Sequence, residues 1–573
     1  MKKIFLIILV FTGVCTKAQY FQHKYGTKNT SLFSGQNFNH GSDYGHILCG
    51  LQSNSQEIAL TVCDERGGFS NAPFNFNNIY SISDPITGAP INILFPDVID
   101  LDPIQNGYGV VAWTYNSIAN TGGIIYMDVD NIGNAANVNE YNPTGASLIV
   151  EAATKAVRVN GDVYITGSVK DTGNGETKTF ILKINVSGII QWSKIYDFGS
   201  NFPYSTGYDI IESPYYANEM VVVGVAEWTN HGEEGFFLRV DANTGASVAD
   251  VEFYGNSTSD EFFRSITLGS DGAQGFVVSG VSDAGGNEDF WVTKLDADGT
   301  AAQWSYLYDG SVGSTSDFCY DVMERHNPIS VMYEYFAVGT RNDAGLWDAM
   351  VIKLDALGNA FSNGEFVYGT APNLESGSRI DQFEGTGFDG ISIFGTQTDP
   401  NTNTSNMLLV KAYFNGVTAC DDQYSDPIRS LGPTNSGDAS ITNTSGFVQS
   451  TLNVNQAVSK DIPICYAPTV AGGSNARIAP EEPKGDKAST FSPNPINQGS
   501  SYANVELEVT SPTKAQVSIY DVIGRNYYTQ TFNLIKGLNN LQLNISEANM
   551  AQGLYTVRIT GDNLNKNIMV LVK

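Results

Sequence analysis

Carboxylates recur at one place in the chain's pattern. Asp100, Glu151, Asp209, Asp321 and Asp381 each open a short apolar run, and three continue as Asp-x-x-Glu: Asp209 to Glu212, Asp321 to Glu324 and Asp381 to Glu384. Arg264 takes that place in one further copy. Acids gathered at one mouth would attract Ca²⁺ or a basic group, whereas an isolated Asp orders its own turn by accepting backbone amides. Glu151, Asp209, Asp321 and Asp381 are therefore the candidate ligand-binding acids, and spacing alone leaves metal binding undecided. Trp228, in the polar stretch Trp228-Thr-Asn-His-Gly-Glu-Glu234, offers a ring that would stack on a sugar. Trp192 and Trp304 occupy equivalent positions in the pattern and read as framework.

Catalytic motifs are missing. The five histidines, His23, His40, His46, His231 and His326, pair with no Ser or Cys in a nucleophile motif, and H-E-x-x-H does not occur. The Ser-x-Asp-x-Gly-x-Thr-Trp boxes of sialidase-like propellers are not found either. Paired carboxylates need no sequence motif, so an acid–base enzyme stays open.

The elements that must position these residues are strands. The 573 residues include 58 glycines and 11% aromatics but only 16% charged residues, and no long run has helical apolar spacing after the first residues. Such a mix suits short strands joined by tight turns, and the length implies several domains. Lys2, Lys3 and the apolar stretch Ile4 to Val14 read as a signal peptide over 1–18, with Thr16 and Ala18 before a cleavage at Gln19. No later segment is apolar enough for a transmembrane helix. The net charge is −29, or −32 once Lys2, Lys3 and Lys17 leave, which disfavours nucleic acid and anionic lipid and favours cations, basic partners or neutral glycans. Five cysteines then remain, without C-x-x-C spacing. Cys49–Cys63 and Cys420–Cys465 are plausible bridges in an oxidising compartment, leaving Cys319 unpaired.

Three markers repeat. The first is a strand-like run ending mostly in glycine, at Gly50, Trp113, Gly167, Gly224, Gly280, Gly339 and Gly395, with spacings of 63, 54, 57, 56, 59 and 56 residues. The second is an apolar strand running into Asp/Asn-x-x-Gly, as at Asn185 to Gly188, Asp296 to Gly299 and Asp355 to Gly358, the signature of a hairpin turn. The third is an aromatic strand, such as Trp192 to Gly199 and Trp304 to Gly310. With a strand before the first marker, each copy holds four strands, the pattern of a β-propeller blade. The seventh copy lacks its aromatic strand, and the matching sequence, Tyr20 to Gly26, stands near the N-terminus. The expected fold class is all-β: a seven-bladed β-propeller over 19–418 closed by strand 20–26, followed by a small C-terminal antiparallel β-sandwich. The propeller part resembles bacterial repeat propellers with aspartate-glycine and aromatic-glycine signatures. Residues 419–467 are expected to form a small β extension, and 468–490, without periodicity, a flexible linker.

From Phe491 onward the charge shifts to six Lys/Arg against five Asp/Glu, marking a separate domain. Its runs alternate apolar and polar residues, as in Val505 to Val509 and Tyr555 to Ile559. Ordered motifs follow: Phe491-Ser-Pro493-Asn494-Pro495, Tyr520-Asp521-Val-Ile-Gly524, Lys536-Gly537-Leu-Asn539, Gly553-Leu-Tyr555, and an apolar end at Lys573. In order and spacing, 491–573 resembles the type A C-terminal sorting domain of type IX secretion cargo. That resemblance implies export through the signal peptide, passage through the type IX translocon with its sorting machinery, and release or attachment at the outer-membrane surface. The reading is a secreted or cell-surface propeller that binds or adheres, its ligand an unknown surface glycan or protein. The alternative is a secreted glycan-active hydrolase or lyase using carboxylates at the channel mouth.

Overall fold

Runs rich in Val, Ile, Tyr and Phe, each bounded by Gly, Asn or Asp, extend into strands, and no helix forms among the described residues. The computed structural model describes residues 21–466 and 490–572, except for short connecting stretches, the longest being 84–89, 101–106, 310–315, 493–501 and 546–552. The expected leader and nearly all of the expected linker lie outside these residues. The chain divides between Val470 and Ala471 into two compact units.

The first unit contains seven antiparallel four-stranded subunits of sheet, numbered 1–7 here, spanning 30–83, 93–143, 148–197, 204–255, 261–309, 316–368 and 374–412. Subunit 7 supplies three strands, and Phe21–Tyr25 pairs antiparallel with Thr404–Ala412 as its fourth. Subunits 3 and 4 are also linked by a single bridge between Thr177 and Tyr204.

Local chemistry explains both glycine markers. Each first strand carries a one-residue bulge. The bulge drives a carbonyl onto the marker glycine of the second strand: a Cβ on Gly280 would lie 1.9 Å from the Phe262 oxygen, and one on Gly395 1.7 Å from that of Ser376. Subunit 2 has Trp113 at this place because its bulge turns differently, through Phe95 in the left-handed region (φ 46°) and then Pro96. In the Asp/Asn-x-x-Gly turns the glycine closes the hairpin at positive φ, as at Gly299 (φ 73°), whose N–H donates to the Asp296 carbonyl.

A tyrosine in each fourth strand ties one subunit to the next. Tyr80, Tyr141, Tyr196, Tyr254, Tyr308 and Tyr368 donate from their phenols to the turn carbonyls of Gly133, Gly188, Gly245, Gly299, Gly358 and Gly416. Tyr25 of the N-terminal strand donates to Gly67 of subunit 1 at 2.6 Å, so the succession returns to its start. All seven phenols are buried. Apolar clusters follow the same order: successive subunits share one cluster each, and Tyr25, Leu32, Leu48, Phe394, Met407 and Leu409 join subunit 7 to subunit 1.

The segment expected as a small β extension lies as seven short strands, one per subunit. Gln423–Ser425 pairs with the fourth strand of subunit 6, Ile428–Leu431 with subunit 5 and Thr434–Ala439 with subunit 4. Thr442–Thr444, Phe447–Thr451 and Asn453–Val458 continue onto subunits 3, 2 and 1, and Asp461–Tyr466 ends on Phe21–Tyr25. The belt runs against chain order and covers fourth strands that would otherwise present open edges. The N-terminal strand is held between Thr404–Ala412 and the end of the belt.

The expected Cys49–Cys63 bridge does not form. Cys49 pairs across the ladder with Leu60 and Cys63 with His46, an offset of three residues. That is about 10 Å along the strand, beyond disulfide reach, and an odd offset puts the two on opposite faces. The thiols belong to different clusters accordingly. Cys319 is also a free, buried thiol. Cys420 and the Cys465 side chain fall outside the described residues.

The second unit is a two-layer antiparallel sandwich. Thr490–Ser492, Tyr502–Val509 and Gly537–Asn544 form one sheet; the strands Thr513–Asp521, Asn526–Leu534, Gly553–Gly561 and Leu564–Val572 form the other. Alternate residues from both sheets, Val505, Leu507, Val517, Ile519, Leu543 and Val557 among them, meet in one core. In the Lys536-Gly-Leu-Asn539 motif, the Asn539 amide accepts from Ile535 N–H and donates to the Ile535 and Gly537 carbonyls, with Gly537 at φ 100°. Asp521 and Tyr555 are cross-strand partners, and Tyr520 is next in the same ladder. Gly553 begins its strand opposite Val572. Pro493, Asn494, Pro495, Gly524 and Lys573 lie outside the described residues.

Candidate functional site

The first strands of neighbouring subunits adjoin one another, from subunit 1 through 7 and back to 1. Immediately after the bulge that underlies the marker position, each places one side chain at an equivalent level: Ser34, Asp97, Lys155, Asp209, Ser265, Asp321 and Arg379. The three acids at this level serve the next subunit's backbone. Asp97 accepts Ala156 N–H at 2.7 Å, Asp209 accepts Ile266 N–H at 3.0 Å, and Asp321 accepts Ile380 N–H at 2.9 Å. Serine hydroxyls lie against the same carboxylates. Ser34 donates to Asp97, and the Ser265 hydroxyl lies 2.9 Å from Asp209 and 2.5 Å from Asp321.

Charge is balanced across this layer. Burial raises the Asp209 carboxyl, and Lys155 and Arg379 oppose it. Burial disfavours the Arg379 charge, but Asp321, Asp97 and Asp209 together raise its pKa. Asp381, two residues beyond Arg379, accepts Asn37 N–H of subunit 1 at 2.8 Å, and burial pushes its carboxyl up to about 6.

Asp209 and Asp321 are thus brought together, through Ser265, and Asp381 lies close enough to feel Asp321. Glu151 is not with them. It sits in an additional bulge of subunit 3, where it accepts from Thr177 Oγ1 at 2.8 Å and pairs with Lys170 at 3.3 Å; the residue matching Asp209 in that subunit is Lys155. The residue matching it in subunit 5 is Ser265, one place beyond Arg264. Single-residue bulges of differing position are what sequence matching missed. Two glutamates of Asp-x-x-Glu hold the preceding subunit: Glu212 accepts from Asn160, and Glu324 from the N–H and hydroxyl of Ser270; the Glu384 side chain lies outside the described residues. The side chain of Asp100 is outside the described residues. Among the described residues no three acid, His or Cys side chains converge as a cation site.

Trp228 ends its strand opposite Gly232, with its ring faces occupied. His231 stacks on it at 4.3 Å, Phe202 packs at 5.3 Å, and its ring edge meets Gly437 of the belt. It anchors the belt to subunit 4 rather than presenting an open platform.

The bulged residues themselves were not singled out from the sequence as a set. They include Phe33 and Phe95, in edge contact at 5.1 Å, and Tyr208, Arg264 and Tyr320 from three successive subunits. The signal was available: Phe33, Tyr208, Arg264 and Tyr320 each immediately precede the residue at the shared level, and Tyr208, Arg264 and Tyr320 are spaced by 56 residues.

Residues 491–573 match the model of the secretion system C-terminal sorting domain. No curated protein matches the chain. Among solved structures, an exo-β-1,3-galactanase from Phanerochaete chrysosporium aligns at 12% identity over 74% of this chain and all of that one, with a TM-score of 0.29. A tetra-tandem repeat from the extending region of a large adhesion protein aligns at 13% identity over 83% of this chain and 99% of that one, with a TM-score of 0.13. Dimeric latent PorU from Porphyromonas gingivalis aligns at 12% identity over 90% of this chain but 35% of its own, also with a TM-score of 0.13. Likeness at these TM-scores carries no argument about fold or activity. The sorting domain does: it indicates export by type IX secretion, with the protein secreted or attached to the cell surface.

Proposed function

As a chain exported by type IX secretion, this protein is, we propose, a binding and adhesion module whose seven four-stranded subunits are the blades of a β-propeller, Phe21–Tyr25 being the strand that closes it. The cyclic order of the tyrosine–glycine hydrogen bonds and of the shared apolar clusters supports that architecture. The function rests chiefly on one observation: the acids along the first strands are occupied by backbone amides and serine hydroxyls. Such carboxylates order a scaffold. The alternative of a glycan-active hydrolase or lyase needs two carboxylates facing one another across a substrate, and Asp209 and Asp321 instead share one hydroxyl. A scaffold of this kind leaves recognition to one end of the subunits, where first strands begin and second-to-third connections gather, as Tyr204 opposite Glu227 and Trp228 opposite Gly232 illustrate.

The test is a screen of the full chain against surface glycans and envelope proteins, with and without calcium, followed by product analysis of any glycan bound. Saturable binding without turnover is expected. Release of shorter saccharides from a bound glycan would instead establish the enzyme.

A further inference from the structure

We propose that Tyr208, Arg264, Tyr320 and Glu233 form a subsite for an uncharged sugar ring. The four come from subunits 4, 5 and 6. Arg264 lies between the two tyrosines in chain and subunit order, its guanidinium carbon 4.1 Å from the Tyr208 ring centroid and 4.7 Å from that of Phe262. Tyr320 feels the Arg264 charge, as does Glu233. Bulges explain the position: an extra, unpaired residue in a strand re-aims its side chain away from the ladder, and here three neighbouring bulges contribute Tyr, Arg and Tyr.

Along the first strands Asp97, Asp209, Asp321 and Glu324 are matched by amides and hydroxyls, and Glu151 by Thr177 and Lys170. Here the Arg264 Nε is buried without a hydrogen-bond partner. Neither the Tyr208 and Tyr320 phenols nor the Glu233 carboxylate has a hydrogen-bond partner among the described residues. Glu233 is partly buried, and burial, then Asp260, raises its carboxyl while Arg264 opposes the shift. Buried polar atoms in native proteins are almost always paired, so the buried Arg264 Nε, beside the half-buried Tyr208, Tyr320 and Glu233, is a donor that another molecule's oxygen would match.

An uncharged pyranose supplies what is missing. Its C–H face packs on a tyrosine ring, its ring or hydroxyl oxygens accept from the guanidinium fork, and its hydroxyls donate to Glu233. An acidic sugar fits less well. It would pair with Arg264 but meet Glu233, Asp260 and a chain with 60 acids against 31 bases.

This assignment deepens the reading of the chain as a binding module and rests on it. The full chain is assayed on an array of neutral oligosaccharides (gluco-, galacto- and manno-hexaoses) with oligogalacturonates beside them and a panel of envelope proteins in parallel. Affinities are then measured by calorimetry. A neutral oligosaccharide is expected to bind, with about twofold change or less between 0.05 and 0.5 M NaCl, since no ion pair forms. Arg264→Gln and Tyr320→Ala should each weaken it at least about tenfold, at roughly 1.4 kcal/mol per decade. Glu233→Gln, which keeps shape and leaves the fold undisturbed, should weaken it several-fold. Binding to oligogalacturonate alone, or neutral binding untouched by all three variants in folded protein, overturns the assignment. Capture of an envelope protein but no saccharide overturns the sugar subsite and leaves the binding module standing. Capture of nothing overturns both.

Discussion

The phenol of Tyr25 donates to the carbonyl of Gly67, 42 residues later, and this contact joins the N-terminal strand of subunit 7 to the turn of subunit 1. It is the same bond that Tyr308 makes to Gly358 between adjacent subunits in the chain's middle. A strand contributed from the far end of the sequence therefore repeats the local rule.

Tyr25→Phe keeps the ring and leaves the buried Gly67 carbonyl without this donor. The expected loss is about 1–2 kcal/mol, read as a lower denaturation midpoint at unchanged slope. Tyr308→Phe should cost about the same. Equal stability of Tyr25→Phe and wild type would show that the N-terminal strand does not close the module.

Gly280→Ala should be poorly tolerated, because the new Cβ meets the Phe262 backbone oxygen rather than a side chain that can turn aside. A loss of about 1–3 kcal/mol or more is expected. Gly272→Ala, with open space around it, should lie within about 0.5 kcal/mol of wild type. Thermal melts of the two variants side by side decide the matter.

The belt predicts an association phenotype. A chain ending at residue 418 lacks the strands that cover the fourth-strand edges. It should self-associate at micromolar concentration and lose amide protection along Ala302–Asp309 and its counterparts. Light scattering and hydrogen exchange check this; a protected monomer would contradict it.

Asp381 predicts a pH dependence. Its carboxyl titrates near 6 when folded against about 3.9 when unfolded. Between those values the folded state holds a proton that the unfolded state has lost, so this group's contribution is fully present below about pH 4 and falls as pH rises toward 6. The slope is about 1.4 kcal/mol per pH unit within the window. Asp381→Asn, which can still accept Asn37 N–H, should flatten the stability profile there. Melts across pH 4–8 measure it, and an unchanged slope would assign the titration elsewhere.

Removal of residues 491–573 should leave the protein inside the outer membrane, since these residues match the sorting domain. Fractionation of cells and medium reads the outcome, and normal export of the truncated chain would remove the tail's role.

Much of the scaffold was legible because it is local chemistry. The Asp/Asn-x-x-Gly turns, the strand-ending glycines and the alternating runs of 491–573 each state a backbone requirement within a few residues, and each is met where it was expected. Trp113 was legible only as an exception, since nothing nearby announces that Phe95 would turn the bulge the other way.

The site was legible only in part. Asp209 and Asp321 both lie against Ser265, but Glu151, matched to them in the sequence by its place before an apolar run, does not. A second bulge in the same strand moves Lys155 into register instead. Trp228, in a polar stretch, looked available for a ligand and is covered by His231, Phe202 and Gly437, the last of them more than 200 residues away.

By itself the sequence determined an all-β chain, its recurrent strand-and-turn unit and its sorting tail, because alternation, turn glycines and motif order act over short spans. Tertiary structure alone decided that Ser265 would stand between Asp209 and Asp321, that residues 423–466 would be dealt one strand to each subunit, and that Arg264 would lie over the Tyr208 ring. Those outcomes depend on bulges and on pairing between distant strands, and a single inserted residue changes which side chain arrives at a shared level.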